Sequence, residues 1–295
     1  MNDRSPEIDV LLATYNGQDY IEEFMQSLIS QVGVSIHLYV SDDGSDDRTL
    51  EKIKAYKNYL RDLTIVSGPR NGPSSNFFRL LEFPSSTYVA LADQDDIWKS
   101  DKLIRGINTL KSRGNPALYV SAVNLLHSKK INSAHDFNYP LDFFFSKNQG
   151  CTFIFNKKLL TLLQHCYTDR LFYHDWFIYL VSKNFGEVII DEWPSIFYRI
   201  HQGNFVGRRS FAKKIFAFFD RREARDRISK ILIQIDALKL LATSEGNIQL
   251  CVMFSEVKKV ISDREFIQLF KLTGAKTVLK HPLRMVYMCL LMLNH

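Results

Sequence analysis

Three carboxylates stand within four residues at Asp93-Gln94-Asp95-Asp96, directly after the apolar run TYVALA at 87–92. Like charges this close repel one another and lose hydration in a sheltered turn, a cost that a bound cation removes. A hard divalent ion suits them. Mg²⁺ or Mn²⁺ takes carboxylate and phosphate oxygens together and leaves positions open for a diphosphate. The competing reading is a solvated acidic turn, which the apolar strand before it and Ile97-Trp98 after it make less apt. A second acidic cluster, Ser41-Asp42-Asp43-Gly44-Ser45-Asp46-Asp47, follows the apolar run IHLYV at 36–40. Asp46 and Asp47 fit the first turn of a helix, where the dipole favours negative charge. Asp42 and Asp43 precede the glycine and need another reason: a carboxylate there can accept from a base N–H or a ribose hydroxyl. Thr14-Tyr15-Asn16-Gly17, after IDVLLA at 8–13, reads alone as an ordinary Asn-Gly turn.

These clusters gain meaning from the elements ahead of them. Short apolar runs at 8–13, 36–40, 63–66, 87–92 and 118–123 predict strands. Apolar residues at helical spacing predict helices over 20–29, 49–60 and 102–110. The alternation predicts an α/β fold whose mostly parallel sheet carries helices on both faces. Such sheets bind ligands at the carboxyl ends of their strands, where all three clusters fall. Regularity fades over 124–150, then a strand is expected at 152–155 and helices at 157–164 and 175–183. A boundary is placed near residue 206, giving a domain over 1–206 and a helical region over 207–295.

Two later groups have chemical potential. His174-Asp175 reads as a helix start with Asp as cap, yet Asp175 beside Trp176 is also a carboxylate in a partly apolar setting, which raises a pKa. His201 in YRIHQGNFVG (198–207) reads equally as a hydrogen-bonded surface histidine or a ligand.

Taken in order, ATYNG, SDDGSDD, ADQDDIW, YHDW and YRIHQGN resemble the inverting family 2 glycosyltransferases of the GT-A fold. The DQDDIW, HDW and YRxHxxN forms look most like the bacterial branch called rhamnosyltransferases. The resemblance spans residues 8–207. It implies a nucleotide-sugar donor with Thr14, Tyr15 and Asn16 around base and ribose, Asp42 on the base and Asp43 nearby. Asp93 and Asp95 match the family's DxD element, touching the ribose and holding the divalent metal (Mg²⁺ or Mn²⁺) on the diphosphate, with His201 as a further ligand. Asp96 shares that role or faces the sugar. Asp175 matches the catalytic base. Gly150 and Cys151 fall in the turn that lines the sugar and acceptor site, and Trp98, His174, Trp176 and Arg199 border it, Arg199 as a phosphate contact.

The chain has 295 residues with 46% hydrophobic and 24% charged, so global disorder is not expected. Its four cysteines form no CxxC pair, which indicates neither a disulfide framework nor a zinc site and fits a reducing compartment. No secretory signal is expected from the N-terminal residues, and no apolar stretch approaches the ~20 residues that span a bilayer. Residues 1–206 hold 21 Lys+Arg against 24 Asp+Glu, residues 207–295 hold 17 against 8. The basic region mixes Arg and Lys with aromatics in FAKKIFAFF (211–219) and ends in the apolar tail LKHPLRMVYMCLLML. It suits either an anionic membrane surface or a helical cap with a solvated basic face. No nucleic acid is expected as partner, for want of a stacking platform or zinc motif.

The resemblance therefore implies transfer from a donor such as dTDP-L-rhamnose to a lipid-linked glycan acceptor at the inner face of the cytoplasmic membrane, in surface polysaccharide synthesis. A UDP-hexose or UDP-N-acetylhexosamine donor is the alternative. A nucleotidyltransferase would need a Gly- and Lys- or Arg-rich phosphate loop after the first strand, which ATYNGQDY lacks. A non-catalytic nucleotide-sugar binding protein is disfavoured by the intact acidic motifs.

Overall fold

The computed structural model describes residues 5–128, 130–134, 141–143, 148–165, 173–200 and 221–264. Two compact units divide it, one within 1–135, 147–169 and 173–205, the other within 136–146, 170–172 and 206–295.

The first unit is built on a sheet in the order β3-β2-β1-β4-β8-β6-β9-β5, with β7 paired to β6. The strands are β1 (Glu7–Thr14), β2 (Ser35–Asp42), β3 (Asp62–Ser67), β4 (Tyr88–Asp93), β5 (Ile97–Trp98), β6 (Ala117–Leu125), β7 (Ile131–Asn132), β8 (Phe153–Asn156) and β9 (Glu187–Tyr198). Strands β3, β2, β1 and β4 are parallel neighbours. Strand β8 runs antiparallel between β4 and β6, and β9 is parallel to β6. The expected mostly parallel α/β sheet is therefore present, with β5, β7 and β8 running against the common direction. Ile8, Val10, Leu11 and Leu12 of β1 are all fully buried, as a central parallel strand requires when both faces are covered.

Helices α1 (Ile21–Ile29), α2 (Thr49–Lys54), α3 (Gly72–Leu80), α4 (Lys102–Leu110), α5 (Lys157–His165) and α6 (His174–Phe185) flank the sheet. Helix α4 buries Leu103, Ile107 and Leu110, the i, i+4, i+7 stripe that its sequence predicts. The helix expected over 49–60 stops at Lys54 and resumes as a 3₁₀ turn at Lys57–Tyr59. Helix α3 and strand β9 were not expected. The Gly-Pro-Ser-Ser start of α3 has turn composition, and Pro194 in β9 accompanies shifts of register against β6 that disturb the two-residue alternation.

The second unit contains α7 (Arg221–Ser244) and α8 (Ile248–Ser262). Ile228, Ile231, Ile235, Leu238 and Ala242 form the buried stripe of α7, and Phe254, Val257 and Ile261 that of α8. Lys258 holds both oxygens of Asp236 at 2.6 and 2.8 Å, and Phe143 meets Phe254 edge to face at 6.0 Å. The basic-aromatic stretch 211–219 and the apolar tail lie outside the described residues, as does His201. Among the described residues no helix is long and apolar enough to cross a membrane. Cys151 and Cys251 are free thiols.

Asp9, at the strand-start end of the sheet, is fully buried and accepts from the Ser85 and Ser86 amides at 2.7 and 2.8 Å and from the Ser86 hydroxyl at 2.7 Å. Asp9→Ala leaves these donors unpaired, so thermal denaturation should show a loss of about 2–3 kcal/mol.

Candidate active site

The carboxyl ends of β1, β2 and β4 bring the three polar clusters to one edge. Ala13 pairs with Asp93 and Thr14 with Asp42, so the last residues of the strands are lateral neighbours. Strand β8 adds a fourth contributor. It pairs antiparallel with β4 from Tyr88↔Asn156 to Ala90↔Ile154, and the 3₁₀ turn Gly150–Thr152 ahead of it carries Cys151 to Asp93. The short strand β5 then turns the chain after Asp96 against β9, pairing Ile97 with Phe197. That pairing delivers Arg199 to the acidic turn. Its amide donates to Asp96 Oδ1 at 3.3 Å, its Nε to the Asp95 carbonyl at 3.0 Å, and its guanidinium reaches Glu23 of α1 at 3.0 Å.

Charge is the dominant feature of this edge. Ligand atoms of Asp93, Asp96 and Cys151 all lie within 4.8 Å of one another. Burial pushes the Asp93 carboxyl up to about 7, and the neighbouring charges of Asp95 and Asp175 add to the shift. Asp96 is fully buried and stands well above the usual carboxylate range, first from burial and then from Asp93 and Asp95. Its Oδ2 finds no N–H or O–H partner among the described residues. The Cys151 thiol is also raised by burial and by both carboxyls. A mutually repelling carboxyl pair, Asp96 fully buried and Asp93 half-buried, is what a divalent cation would relieve, so these residues fit such an ion. The thiol beside them leans the donor set towards Mn²⁺ over Mg²⁺, which avoids sulfur. Asp95 lies outside this closest trio, though its charge acts on both carboxyls.

Asp175 faces this cluster from the start of α6. Gly150 brings the two sides together, since a Cβ there would sit 2.8 Å from His174 Nε2 and 3.3 Å from the Asp175 Cβ. Tyr173 enters the helix in the left-handed region at φ 52°, a strained conformation for a side chain of its size. Burial raises Asp175 to about 6, while the Trp176 amide, donating to Oδ1 at 2.7 Å, opposes the shift. A carboxyl with that pKa is mostly ionised at neutrality yet more basic than an ordinary carboxylate, so it can take a proton from an alcohol. His174 is stacked on Phe77 at 4.0 Å between ring centroids, and burial lowers it to about 3, so it is neutral.

The loops over β1 and β2 form a hydrogen-bonded frame. Thr14 donates to Asp42 Oδ1 at 3.0 Å, and Asp42 also accepts from the Gly44 and Ser45 amides and the Ser45 hydroxyl. The Asn16 amide donates to Ser45 Oγ and its side chain accepts from the Asp46 amide. The Gly17 amide donates to Thr49 Oγ1, and that of Gln18 to Asp47. Asp43 accepts from the amides of Arg70 and Gly72 at 2.7 and 2.8 Å, holding the start of α3. Tyr15, by contrast, is 58% exposed at the rim.

The chain that carries these residues is similar to known proteins. The family model described as Glycosyl transferase family 2 matches residues 9–216. The chain belongs to that family. Over 216 residues it is 31% identical to "dTDP-rhamnosyl transferase RfbG" of Shigella flexneri, covering 66% of this chain and 73% of the relative. Its fold is similar to that of S. aureus TarS (1–349) in complex with UDP-GlcNAc, at TM-score 0.57 and 18% identity over 86% of this chain and 75% of that one. The mannosyltransferase PcManGT from Pyrobaculum calidifontis, in complex with GDP-Man and Mn²⁺, is similar at TM-score 0.51 and 17% identity over 98% of this chain and 86% of that one. The glycosyltransferase thus has the GT-A fold expected of it.

Other residues of this glycosyltransferase edge behave differently from a simple motif reading. Trp98 is 3% exposed and packs edge-on to Phe24 at 5.5 Å, inside the core. Trp176 is also buried. Lys102 was missed by the sequence reading. It is fully buried, its Nζ 4.0 Å over the Trp98 ring with no hydrogen-bond partner among the described residues, and burial lowers it to about 8. Its signal was present, because Lys102 falls on the apolar stripe of α4 alongside Gly106 and Leu110. Gln94 was missed too, for it lies between the acids that drew attention.

The raised carboxyls fix a pH dependence. Asp93 and Asp175 hold protons more tightly folded than unfolded, where such groups titrate near ~4. Their contribution is therefore full below about pH 4 and is lost as pH rises to about 7. A divalent ion must displace the Asp93 proton, so stabilisation by Mn²⁺ should be small near about pH 5 and grow towards about pH 8. Thermal denaturation with and without Mn²⁺ at both values checks this, and Asp93→Asn should flatten the trend.

Proposed function

We propose that this glycosyltransferase moves a sugar, with inversion, from a nucleotide-diphosphate donor to a hydroxyl of a lipid-linked glycan during synthesis of a bacterial surface polysaccharide. The observation that carries this reading is the meeting of the acidic turn after β4 with Asp175 at the start of α6, close enough for one charge to raise the other's pKa. Residues 1–206 serve as the catalytic domain. Thr14, Tyr15 and Asn16 receive base and ribose on the frame that Asp42 and Asp43 hold rigid. Asp93, Asp95 and Asp96 hold the divalent metal, which when bound offsets the negative charge that builds on the departing nucleoside diphosphate. Gly150 and Cys151 border the sugar. Arg199 anchors the acidic turn to α1 by its bonds to Asp95, Asp96 and Glu23.

Asp175 is the base. It accepts the proton of the acceptor hydroxyl as that oxygen attacks the anomeric carbon, and its raised pKa matches it to work near neutrality. The similarity to a dTDP-rhamnosyl transferase favours dTDP-L-rhamnose as donor. The similarity to a fold seen with UDP-GlcNAc keeps a UDP-hexose or UDP-N-acetylhexosamine as the second reading. Residues 207–295, with 17 Lys+Arg against 8 Asp+Glu, serve as a peripheral contact with the anionic inner face of the cytoplasmic membrane, where a lipid-linked acceptor resides.

A panel of dTDP-L-rhamnose, UDP-glucose and UDP-GlcNAc, each with Mn²⁺, should give one donor that raises the melting temperature more than its free nucleotide does. With that donor, Asp175→Asn should lower kcat by about 10²–10⁴-fold and leave nucleotide binding intact. Full turnover in the variant would remove Asp175 from the base role, and a panel in which none of the three binds would remove both donor readings.

A further inference from the structure

The ladder between β1 and β4 ends at Ala13↔Asp93. From there β1 runs into the turn 14–17 and β4 into the acidic turn 93–96, one for the nucleotide and one for the metal in the function proposed above. Gln94 spans them. Its Oε1 accepts from the Tyr15 amide at 3.0 Å, and its Nε2 donates to the Tyr15 carbonyl at 2.9 Å. The carboxamide therefore copies a peptide group, satisfying both backbone groups of one residue as another rung of the sheet would.

Gly17 makes room for this bridge. A Cβ at that position would collide with the Gln94 carboxamide. Gly17 lacks the left-handed backbone seen at Gly33, Gly44, Gly72 and Gly246, so space and not conformation is what a side chain there would violate. The turn that Gln94 grips is itself fastened to the loop after β2 by the bonds of Thr14, Asn16, Gly17 and Gln18. A shift of the acidic turn is thus passed to the whole frame over β1 and β2.

We propose that Gln94 is a positioning residue that couples the two turns, so that a divalent cation at the acidic turn and a nucleoside diphosphate on the frame bind cooperatively through its double hydrogen bond to Tyr15. The inference rests on the functional reading above but concerns how two of its parts communicate. Two sites joined by one rigid element share a coupling free energy, and that coupling is reciprocal. Part of any coupling comes from direct contact of the ion with the diphosphate. Gln94 supplies the part that depends on holding the turns in register, since a loose turn must be ordered at a cost in entropy before both ligands fit.

The test is calorimetric titration of the full chain with UDP and with dTDP, each with and without Mn²⁺, and with Mn²⁺ alone. The variants are Gln94→Met, which keeps volume and loses the amide, and Gly17→Ala, which keeps the amide and displaces it. In the wild type Mn²⁺ should tighten one of the nucleotides by a factor in the range of about 5–150. In both variants that factor should shrink by about fivefold or more, with Mn²⁺ affinity alone changed less than about twofold. Unchanged coupling in either correctly folded variant overturns the inference. So does a loss of Mn²⁺ affinity in Gln94→Met as large as the loss of coupling, which would make Gln94 a part of the metal site. If wild type binds neither nucleotide with Mn²⁺ present, the functional reading fails, and the inference with it.

Discussion

Carboxylates that share a sheltered site cannot all keep their charge. At the end of β4 Asp93, Asp95 and Asp96 crowd into one turn, and Asp96 is wholly withdrawn from water. Without a cation the protein answers with protons, which is why Asp93 and Asp96 stand so far above ordinary carboxyls. Lys102 does not dissolve the conflict. Its ammonium is as deeply buried, lies over the Trp98 ring and makes no hydrogen bond to either acid among the described residues. The turn therefore carries more acid groups than it can ionise at once, a conflict that a divalent ion would relieve. Crowded acids destabilise a folded chain, and their placement at one strand end marks a site of function over one of stability.

The fold's task is to hold that crowded turn still. Parallel strands end their backbone hydrogen bonding together, so β1, β2 and β4 offer three turns side by side. The antiparallel strand β8 feeds Cys151 in from the opposite direction, and β9, with its register shifts against β6, returns the chain so that Arg199 seals the acidic turn. None of these long-range placements follows from local sequence. Each depends on a partner strand distant in the chain, as the pairing of Ala90 with Ile154 and of Ile97 with Phe197 makes plain.

This sets what could be read in advance. The parallel half was legible because its strands are short apolar runs, those of β1, β2 and β4 followed by polar turn clusters, and β1, β2, β3, β4 and α4 lie within a residue or two of where periodicity put them. The helix at 72–80 was not, because Gly-Pro-Ser-Ser resembles a loop and only Pro at the first turn hints otherwise. Strand β9 escaped because its register shifts break the alternation. Among site residues, the aspartates were visible as a charge pattern. Cys151 as their close neighbour was not, since its position follows from the pairing of distant β8 with β4 and from the 3₁₀ turn ahead of β8. Lys102 was legible in principle as a charge on an apolar stripe, a pattern easily discarded as a helix start.

The second acidic cluster teaches a different lesson about ligand contacts. Asp42 and Asp43 look like groups waiting for a base or ribose, yet between them they accept from four backbone amides and two hydroxyls of their own chain. A carboxylate so engaged fixes geometry first. It orders the loop before any ligand arrives, which lowers the entropy a nucleotide must overcome on binding. The same economy explains why Gln94 rather than a fourth acid separates Asp93 from Asp95. A carboxylate there could accept from the Tyr15 amide but not donate to its carbonyl, and it would add another negative charge to a turn that already carries more than it can ionise. A neutral carboxamide closes the turn against its neighbour and leaves the electrostatic deficit wholly to the ion.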